Sequence, residues 1–136
     1  MLHLPATVRS ELARLVADGY PRETCGLLVG RELPDGAEVE RVVPARNRDE
    51  QRARDRYLLD PDDHLRAENE ARAIGRVVVG VWHSHPDHPA QPSETDRAGA
   101  WEGWAYLIAS VTPQGVAELR SWRLQHDVFH EEPITP

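Results

Sequence analysis

Two short segments of the chain carry side chains that could bind a metal ion and use it chemically. The first is Val81-Trp82-His83-Ser84-His85-Pro86, and the second is Ser93-Glu94-Thr95-Asp96. Side chains of a strand alternate between its two faces, so His83 and His85 point the same way. The loop between His85 and Asp96 is long enough to turn the chain back, which would place Asp96 in the first turn of a new helix.

Two imidazoles and one carboxylate are typical of a catalytic zinc site rather than a structural one, because catalytic zinc keeps a fourth position for water. The ion lowers the pKa of this water to about 7, which makes hydroxide available at neutral pH. We therefore predict that His83, His85 and Asp96 bind one Zn²⁺ per chain.

A hydrolase of this kind also needs a group that accepts a proton from water and donates one to the leaving amine. Glu23 is a candidate, in Pro21-Arg22-Glu23-Thr24-Cys25-Gly26, just before a predicted buried strand. Spacing alone does not favour Glu23 over Glu94 or Asp87. The residues by themselves favour a solvated glutamate at this position.

Together these motifs resemble the signature of the JAMM (MPN+) metalloproteases. The resemblance rests on His83-x-His85-Pro86, on Ser93-x-x-Asp96 after the loop, and on Pro21-x-Glu23-x-Cys25-Gly26-Leu27-Leu28 upstream. It covers nearly the whole chain, and all five functional positions of the motif are filled. The chain is most similar to the stand-alone prokaryotic members, because it has little room for the insertions of eukaryotic deubiquitinating members.

The resemblance implies a fold and a role for each of the five residues. The fold would be a mixed α/β domain with a mainly antiparallel sheet flanked by helices, the cytidine-deaminase-like MPN/JAMM fold. His83, His85 and Asp96 would bind zinc, and Glu23 would pass a proton from water to the departing nitrogen. Ser93 would donate a hydrogen bond to the developing oxyanion, a contact worth roughly 3 kcal/mol where one such donor has been removed.

The resemblance also implies a substrate class. Family members hydrolyse bonds after the C-terminal Gly-Gly of ubiquitin or ubiquitin-like proteins, and stand-alone prokaryotic members are associated with small sulfur carriers or protein modifiers. The expected activity is therefore that of a peptidase or isopeptidase acting on a small ubiquitin-like or sulfur-carrier protein.

Three other functions share single features with this sequence. A non-catalytic MPN-type binding module is disfavoured, because such members have typically lost metal ligands that are present here. A thiol hydrolase built on Cys25 and a histidine would be inactivated by alkylation and indifferent to chelators. A zinc nucleobase deaminase would need paired cysteines, and the chain has one cysteine.

Composition sets the broad limits. The 136 residues fit one domain, 1–136, and a net charge of −7 argues against a general nucleic-acid binder. We predict no membrane span, because no apolar run is long enough. The first residues lack the features of a signal peptide, so a cytoplasmic protein is expected. The sequence gives no indication of an oligomeric state.

Hydrophobic periodicity predicts the elements that would position the site. A helix is expected over 7–18, and a second from Asp60-Pro61 to about Ala73, with Asp60 as cap and Pro61 at the first helical position. Ser93 is the expected cap of a third helix. The predicted strands are Cys25–Gly30, Glu38–Val43, Arg76–Trp82, Ala105–Val111 and Val116–Leu124, with Arg76–Trp82 in the centre of the sheet.

The remaining segments are predicted to be irregular. We expect a loop over His83–Pro92, a solvated charged loop over Arg46–Arg56, and a frayed tail after His126. Trp101 and Trp104 could border a cleft, but packing in the core is the favoured interpretation.

Overall fold

The computed structural model describes residues 1–49 and 57–136, and in this part of the chain eight strands form one sheet. The strands are β1 (Leu2–His3), β2 (Cys25–Leu33), β3 (Gly36–Ala45), β4 (Val77–Pro86), β5 (Ala105–Thr112), β6 (Gly115–Gln125), β7 (Val128–Glu132) and β8 (Ile134–Thr135). Their order across the sheet is β7-β6-β5-β4-β2-β3-β1-β8. The β2–β3, β2–β4, β5–β6 and β6–β7 pairs are antiparallel, whereas β4–β5 and both pairs of β1 are parallel. The mixed, mainly antiparallel sheet predicted from the sequence is confirmed.

The helices cover both faces of this sheet. They are α1 (Ala6–Gly19), α2 (Pro61–Ala73) and the short α3 (Glu94–Ala98). On α1, Leu12 and Val16 are buried against one face, and Ala67 and Ala71 of α2 are buried in a cluster on the other. None of the helices in the described ranges combines the length and the apolar character needed to cross a membrane.

Strand β4 lies at the centre of the sheet, as predicted, because its apolar residues are buried on both faces. Trp82 faces the core beneath α1, whereas Val81 belongs to the cluster beneath α2. The predicted end of this strand at Trp82 is wrong, since β4 continues to Pro86. Parallel pairing with β5, which extends to Pro86 opposite Val111, holds these last residues in the sheet.

The segment after His126 differs most from the sequence prediction, because it forms strands instead of fraying. Strand β7 pairs with β6, and β8 pairs in parallel with β1 at the other edge of the sheet. The backbone N–H of Leu4 donates to the carbonyl of Thr135, so the N-terminal and C-terminal segments stabilise each other. Polar composition suggested fraying, but these partners are distant in sequence and invisible to local patterns.

The charged segment predicted as a loop lies only partly inside the described residues. Positions 50–56 fall outside them, whereas residues on both sides are described. There, Asn47 forms an antiparallel bridge with Leu59, and the N–H of Arg48 donates to the carbonyl of Leu58. Residues 46–48, which follow β3, therefore pair with residues 58–60, which precede α2. We call these two paired segments the neck.

Candidate metal centre

The two histidines of the motif lie at the end of β4 and face the same side of the sheet. Their ring centroids are 5.0 Å apart. His83 is completely buried, between β2 on one side and β5 on the other, and His85 is 9% exposed. The alternation predicted from the sequence is present, although on a continuing strand rather than on a loop.

Asp96 reaches the histidines from the start of α3. Its backbone N–H donates to Ser93 Oγ at 3.0 Å, and its Oδ2 accepts from the backbone N–H of Ser93 at 2.8 Å, which completes a capping box. The same Oδ2 lies 3.2 Å from His85 Nε2, and Oδ1 lies 3.9 Å from His83 Nε2. The predicted helix cap therefore also fixes the direction of the carboxylate toward both imidazoles.

Glu23 joins the same cluster from the segment that leads into the neighbouring strand. It lies two residues before β2, which runs antiparallel to β4 and places Cys25 opposite His83. The Oε1 atom of Glu23 is 3.8 Å from His83 Nδ1, and the residue is 5% exposed. The structure thus brings together the two histidines and the two carboxylates that were predicted for the site.

This cluster is well suited to hold a cation. One ligand atom each from Glu23, His83 and His85 lies within 4.8 Å of the others. Among the described residues, neither ring nitrogen of the fully buried His83 has a hydrogen-bond partner. An unpaired buried polar group costs about 1–3 kcal/mol. A metal ion bound between these side chains would satisfy the imidazole and balance the carboxylate charges of Glu23 and Asp96.

Hydrogen bonds around the cluster prepare His85 for such an ion. The Nδ1–H of His85 donates to the carbonyl of Pro89 at 2.8 Å, which leaves Nε2 to face Asp96. A bond of this kind fixes the ring orientation and the tautomer of a metal-binding histidine.

The protonation of His85 and Asp96 depends on their contact. Burial by itself lowers the pKa of His85, but the hydrogen bonds to Asp96 and Pro89 together raise it. For Asp96 burial opposes ionisation, yet the hydrogen bond with His85 and the charge of His83 lower its pKa to about 2. A proton on His85 Nε2 must leave before that nitrogen binds a metal, so metal binding competes with protonation.

Two neighbours of the cluster are held in their neutral forms. The ring of Tyr57 stacks on His83 with a centroid separation of 4.5 Å, and burial raises the pKa of Tyr57 well above its usual range. Cys25 is buried, and burial raises the pKa of its thiol to about 12. A thiolate is the reactive form of cysteine, so this arrangement argues against the thiol-hydrolase alternative.

Two recesses meet at Asp96. The first, of about 310 Å³, is an open groove that gives access to the cluster, and its lining includes Glu23, His85 and Ser93. The second, of about 320 Å³, is mainly apolar and lies on the other side of Asp96, where it is lined by rings that include Tyr57, Trp101 and Trp104. The cluster therefore lies at the junction of a polar groove and an apolar recess.

The aromatic recess corresponds to the less favoured sequence interpretation, in which Trp101 and Trp104 border a cleft. Trp101 was expected to pack in the core, but it is 59% exposed and stacks on Trp104 at 5.2 Å. His64 of α2 packs edge-on against both tryptophans. The Trp-x-x-Trp spacing was the available signal, but the side that it faces depends on where α2 packs.

The other polar residues of the metal loop have different roles. His88 is exposed, and its backbone carbonyl accepts a hydrogen bond from the Ser110 hydroxyl. The Tyr20 hydroxyl donates to the Asp87 carboxylate at 2.7 Å, which ties the loop to the turn that precedes Glu23.

Comparison with known proteins identifies the family of the chain. The family model described as prokaryotic homologs of the JAB domain matches residues 5–125. The chain is 33% identical over 126 residues to a desampylase of Haloferax volcanii, covering 89% of this chain and 87% of the relative. It is 34% identical over 117 residues to a CysO-cysteine peptidase of Mycobacterium tuberculosis, covering 85% and 77%.

Solved structures agree with the sequence comparison. A solution structure of a Desulfitobacterium hafniense protein superposes with a TM-score of 0.88 at 34% identity, covering 98% of this chain and 91% of that one. A JAB1/MPN domain protein from Archaeoglobus fulgidus shares the fold, with a TM-score of 0.62 at 15% identity over 99% and 95% of the two chains. The predicted MPN/JAMM fold is confirmed, and the chain belongs to the Prok-JAB family, the prokaryotic homologs of the JAB domain.

Proposed function

We propose that this protein is a zinc-dependent peptidase or isopeptidase that hydrolyses the bond after the C-terminal Gly-Gly of a small ubiquitin-like or sulfur-carrier protein. The observation that carries the proposal is His83, buried without a hydrogen-bond partner among the described residues, beside His85, Asp96 and Glu23. The relatives named desampylase and CysO-cysteine peptidase support a substrate that is itself a protein.

In this proposal His83, His85 and Asp96 hold one zinc ion. Two imidazoles and one carboxylate suit zinc, and three protein ligands keep a position for the reaction. A fourth protein ligand would close the site, so Glu23 is left for proton transfer although it belongs to the same cluster. When bound, the ion supplies Lewis acidity that polarises the scissile carbonyl and acidifies a water molecule.

Glu23 acts as the proton carrier. Its carboxylate lies at the floor of the polar groove and is almost fully enclosed, so few solvent molecules compete for it. It accepts a proton from the attacking water and donates it to the departing nitrogen, which leaves as a neutral amine. Proton transfer by a positioned side chain contributes typically 10²–10⁴-fold to a rate.

Ser93 stabilises the negative charge that develops on the scissile carbonyl oxygen. Its Oγ accepts the N–H of Asp96, and a hydroxyl that accepts one bond can still donate another. Ser93 is exposed on the wall of the groove, where its O–H can reach a substrate oxygen. Because the cap fixes the position of Oγ, little reorganisation is needed during the reaction.

The buried position of the cluster favours a glycine tail as substrate. The scissile carbonyl must approach His83, Glu23 and Asp96, each at most 7% exposed. Glycine has no side chain to obstruct a close backbone approach, so a Gly-Gly tail can reach groups that a bulkier residue could not. The rest of the carrier would lie outside the groove.

A single experiment tests this function. The full chain is incubated with small Gly-Gly-ending carrier proteins from the same organism, each bearing a C-terminal cysteine or a protein conjugate, and the products are weighed by mass spectrometry. Release of the carrier ending in Gly-Gly, its loss with a chelator and its return with added Zn²⁺ are the expected results. Intact conjugates in the presence of zinc-loaded protein would contradict the proposal and favour a non-catalytic binding module.

The proposal extends to the organisation and location of the protein. Residues 1–136 would act as one catalytic domain, because the eight described strands form one sheet and β4, which carries the two histidines, lies near its centre. A cytoplasmic location is expected from the sequence. Fractionation of cells and detection with a specific antibody tests that location.

A further inference from the structure

Asn47 lies where three segments of the chain meet, just outside the metal cluster. Its Nδ2–H donates to the backbone carbonyl of Glu23 at 3.1 Å. Its Oδ1 accepts from the backbone N–H of Asp49 at 3.0 Å and from that of Leu58 at 2.9 Å. One amide side chain therefore connects the segment of Glu23 to both sides of the neck after β3.

The peptide unit between Glu23 and Thr24 is held at both of its ends. The Asn47 side chain donates to the carbonyl oxygen of Glu23, and the N–H of Thr24 donates to Ser84 Oγ at 2.9 Å. Ser84 is completely buried and lies between the two histidines on β4, and its own N–H donates to the carbonyl of Thr24. The orientation of this peptide plane is thus set by one residue of β4 and one of the neck.

This support matters because Glu23 belongs to no helix or strand. Its backbone lacks the ladder of hydrogen bonds that fixes β4, and the orientation of its peptide unit decides where its carboxylate lies. That carboxylate is 3.8 Å from His83 Nδ1. A displacement of 1 Å in a reacting group can cost on the order of 100-fold in rate, so a side chain that fixes this peptide unit affects catalysis.

The same amide also fixes the other side of the cluster. Asn47 Oδ1 accepts from the N–H of Leu58, which directly follows Tyr57. The ring of Tyr57 stacks on His83. One side chain therefore holds both the segment of Glu23 and the segment of the ring that stacks on His83. This fixes the position of the proton acceptor relative to the histidine.

We propose that Asn47 is a positioning residue that holds the Glu23–Thr24 peptide unit, and with it the Glu23 carboxylate, in the orientation needed for proton transfer. This inference rests on the proposed function. In this role Asn47 acts through Glu23 and Tyr57, and Ser84 supports the same peptide unit from β4.

The decisive variant is Asn47→Asp, which keeps an oxygen to accept from Asp49 and Leu58 but replaces the amide donor that binds the Glu23 carbonyl. We expect kcat on the carrier conjugate to fall about 10- to 100-fold, with KM and zinc affinity within about twofold of the parent values. The fall should be accompanied by an unchanged circular dichroism spectrum. A loss confined to kcat indicates that Glu23 is misplaced. A neck that is only destabilised would lower the melting temperature without a selective loss of kcat over KM and zinc affinity.

A matched control weakens the neck without touching Glu23. Asp63 Oδ2 accepts the backbone N–H of Arg46 at 2.8 Å, so Asp63→Ala removes a hydrogen bond one residue away from Asn47. This variant should lower thermal stability but leave kcat within about twofold. Equal losses of kcat in Asn47→Asp and Asp63→Ala would overturn the positioning role.

A second variant and a second measurement keep the test independent of turnover. Ser84→Ala frees the other end of the same peptide unit, and its effect on kcat should be non-additive with that of Asn47→Asp. Hydrogen exchange of peptides spanning 21–25 should be faster in both variants. If the parent protein cleaves no conjugate, the proposed function fails but exchange still decides whether Asn47 holds Glu23. Parent-like exchange in Asn47→Asp would overturn the inference, whatever the activity.

Discussion

Two clusters of buried charge in this protein are satisfied in opposite ways. Around Asp60, the N-cap of α2, the carboxylate accepts from the backbone N–H groups of Asp62 and Asp63 at 2.8 and 3.1 Å. It also forms ion pairs with Arg48 and Arg46 at 2.9 and 3.2 Å. Each of these four partners is a donor that the protein itself supplies.

The metal cluster has the reverse arrangement. Two carboxylates and two imidazoles face one another, and His83 lacks a hydrogen-bond partner among the described residues. Both clusters belong to an acidic chain and both are enclosed, so neither burial nor charge distinguishes them. The difference lies in the donors: a closed cluster stabilises the fold, whereas an open one has the ligands for a cation that the chain cannot provide.

The largest effect should come from removing the proton acceptor of the open cluster. Glu23→Gln should lower kcat by about 10²–10⁴-fold, because an amide cannot take the proton from water. Zinc should remain bound, since the three proposed ligands are intact. Steady-state kinetics and metal analysis of the purified variant measure both effects. Glu70→Gln, an exposed change on α2, is the matched control. Retention of full activity in Glu23→Gln would remove the proposed mechanism.

Loss of a ligand should instead weaken metal binding. Asp96→Ala removes the carboxylate that faces both histidines and should lower zinc affinity by more than the roughly 10- to 100-fold that loss of an outer partner costs. Competition with a chromogenic chelator measures the affinity. Glu94→Ala in the same turn of α3, where the side chain is exposed and paired with Arg97, should leave zinc affinity unchanged. Equal affinities of Asp96→Ala and the parent would show that Asp96 is not a ligand.

The closed cluster should contribute to stability in a defined pH range. The hydrogen bond from Arg48, the backbone N–H of Asp63 and the charge of Arg46 lower the pKa of Asp60 from 3.8 to about 2. Because the folded pKa is the lower one, the stabilisation is fully present above about pH 4 and is lost as pH falls toward 2. Asp60→Asn keeps a capping oxygen but removes the charge, so it should abolish this part of the pH dependence.

Urea unfolding at pH 2–6 tests this expectation on the parent and the variant. The two stability curves should converge below pH 2 and separate above pH 4, with zinc binding and kcat unaffected. A variant whose curve runs parallel to that of the parent over this range would show that Asp60 is not the titrating group.

The smallest effect is expected at the cysteine. Burial raises the pKa of Cys25 to about 12, so the native protein should resist iodoacetamide and keep its activity. A chelator, in contrast, should abolish the activity. Cys25→Ala should leave kcat within about twofold. Activity and the mass of the protein after treatment are the measurements. Inactivation that follows the modification of Cys25 would restore the thiol-hydrolase alternative.

Local patterns predicted much of the fold and the parts of the site that are close in sequence. Alternation along a strand placed His83 and His85 on one face, and the capping box explains the direction of Asp96. The end of β4 was misplaced because prolines in the following segment favoured a loop, whereas pairing with β5 keeps those residues in the sheet. The ordering of the chain after His126 was missed for a similar reason, since its partners lie in β1 and β6.

The sequence by itself determined which residue types are available for metal chemistry and how three of them are spaced along the chain. Spacing along the chain left Glu23 unconnected to them, and its role came from the family resemblance. Only the tertiary structure brings it beside His83, because the antiparallel pairing of β2 with β4 places Cys25 opposite His83. It also decided the place of Asn47, whose three hydrogen bonds join segments that no local periodicity relates. Side-chain spacing follows from covalent geometry, whereas convergence depends on which strands pair and in which register.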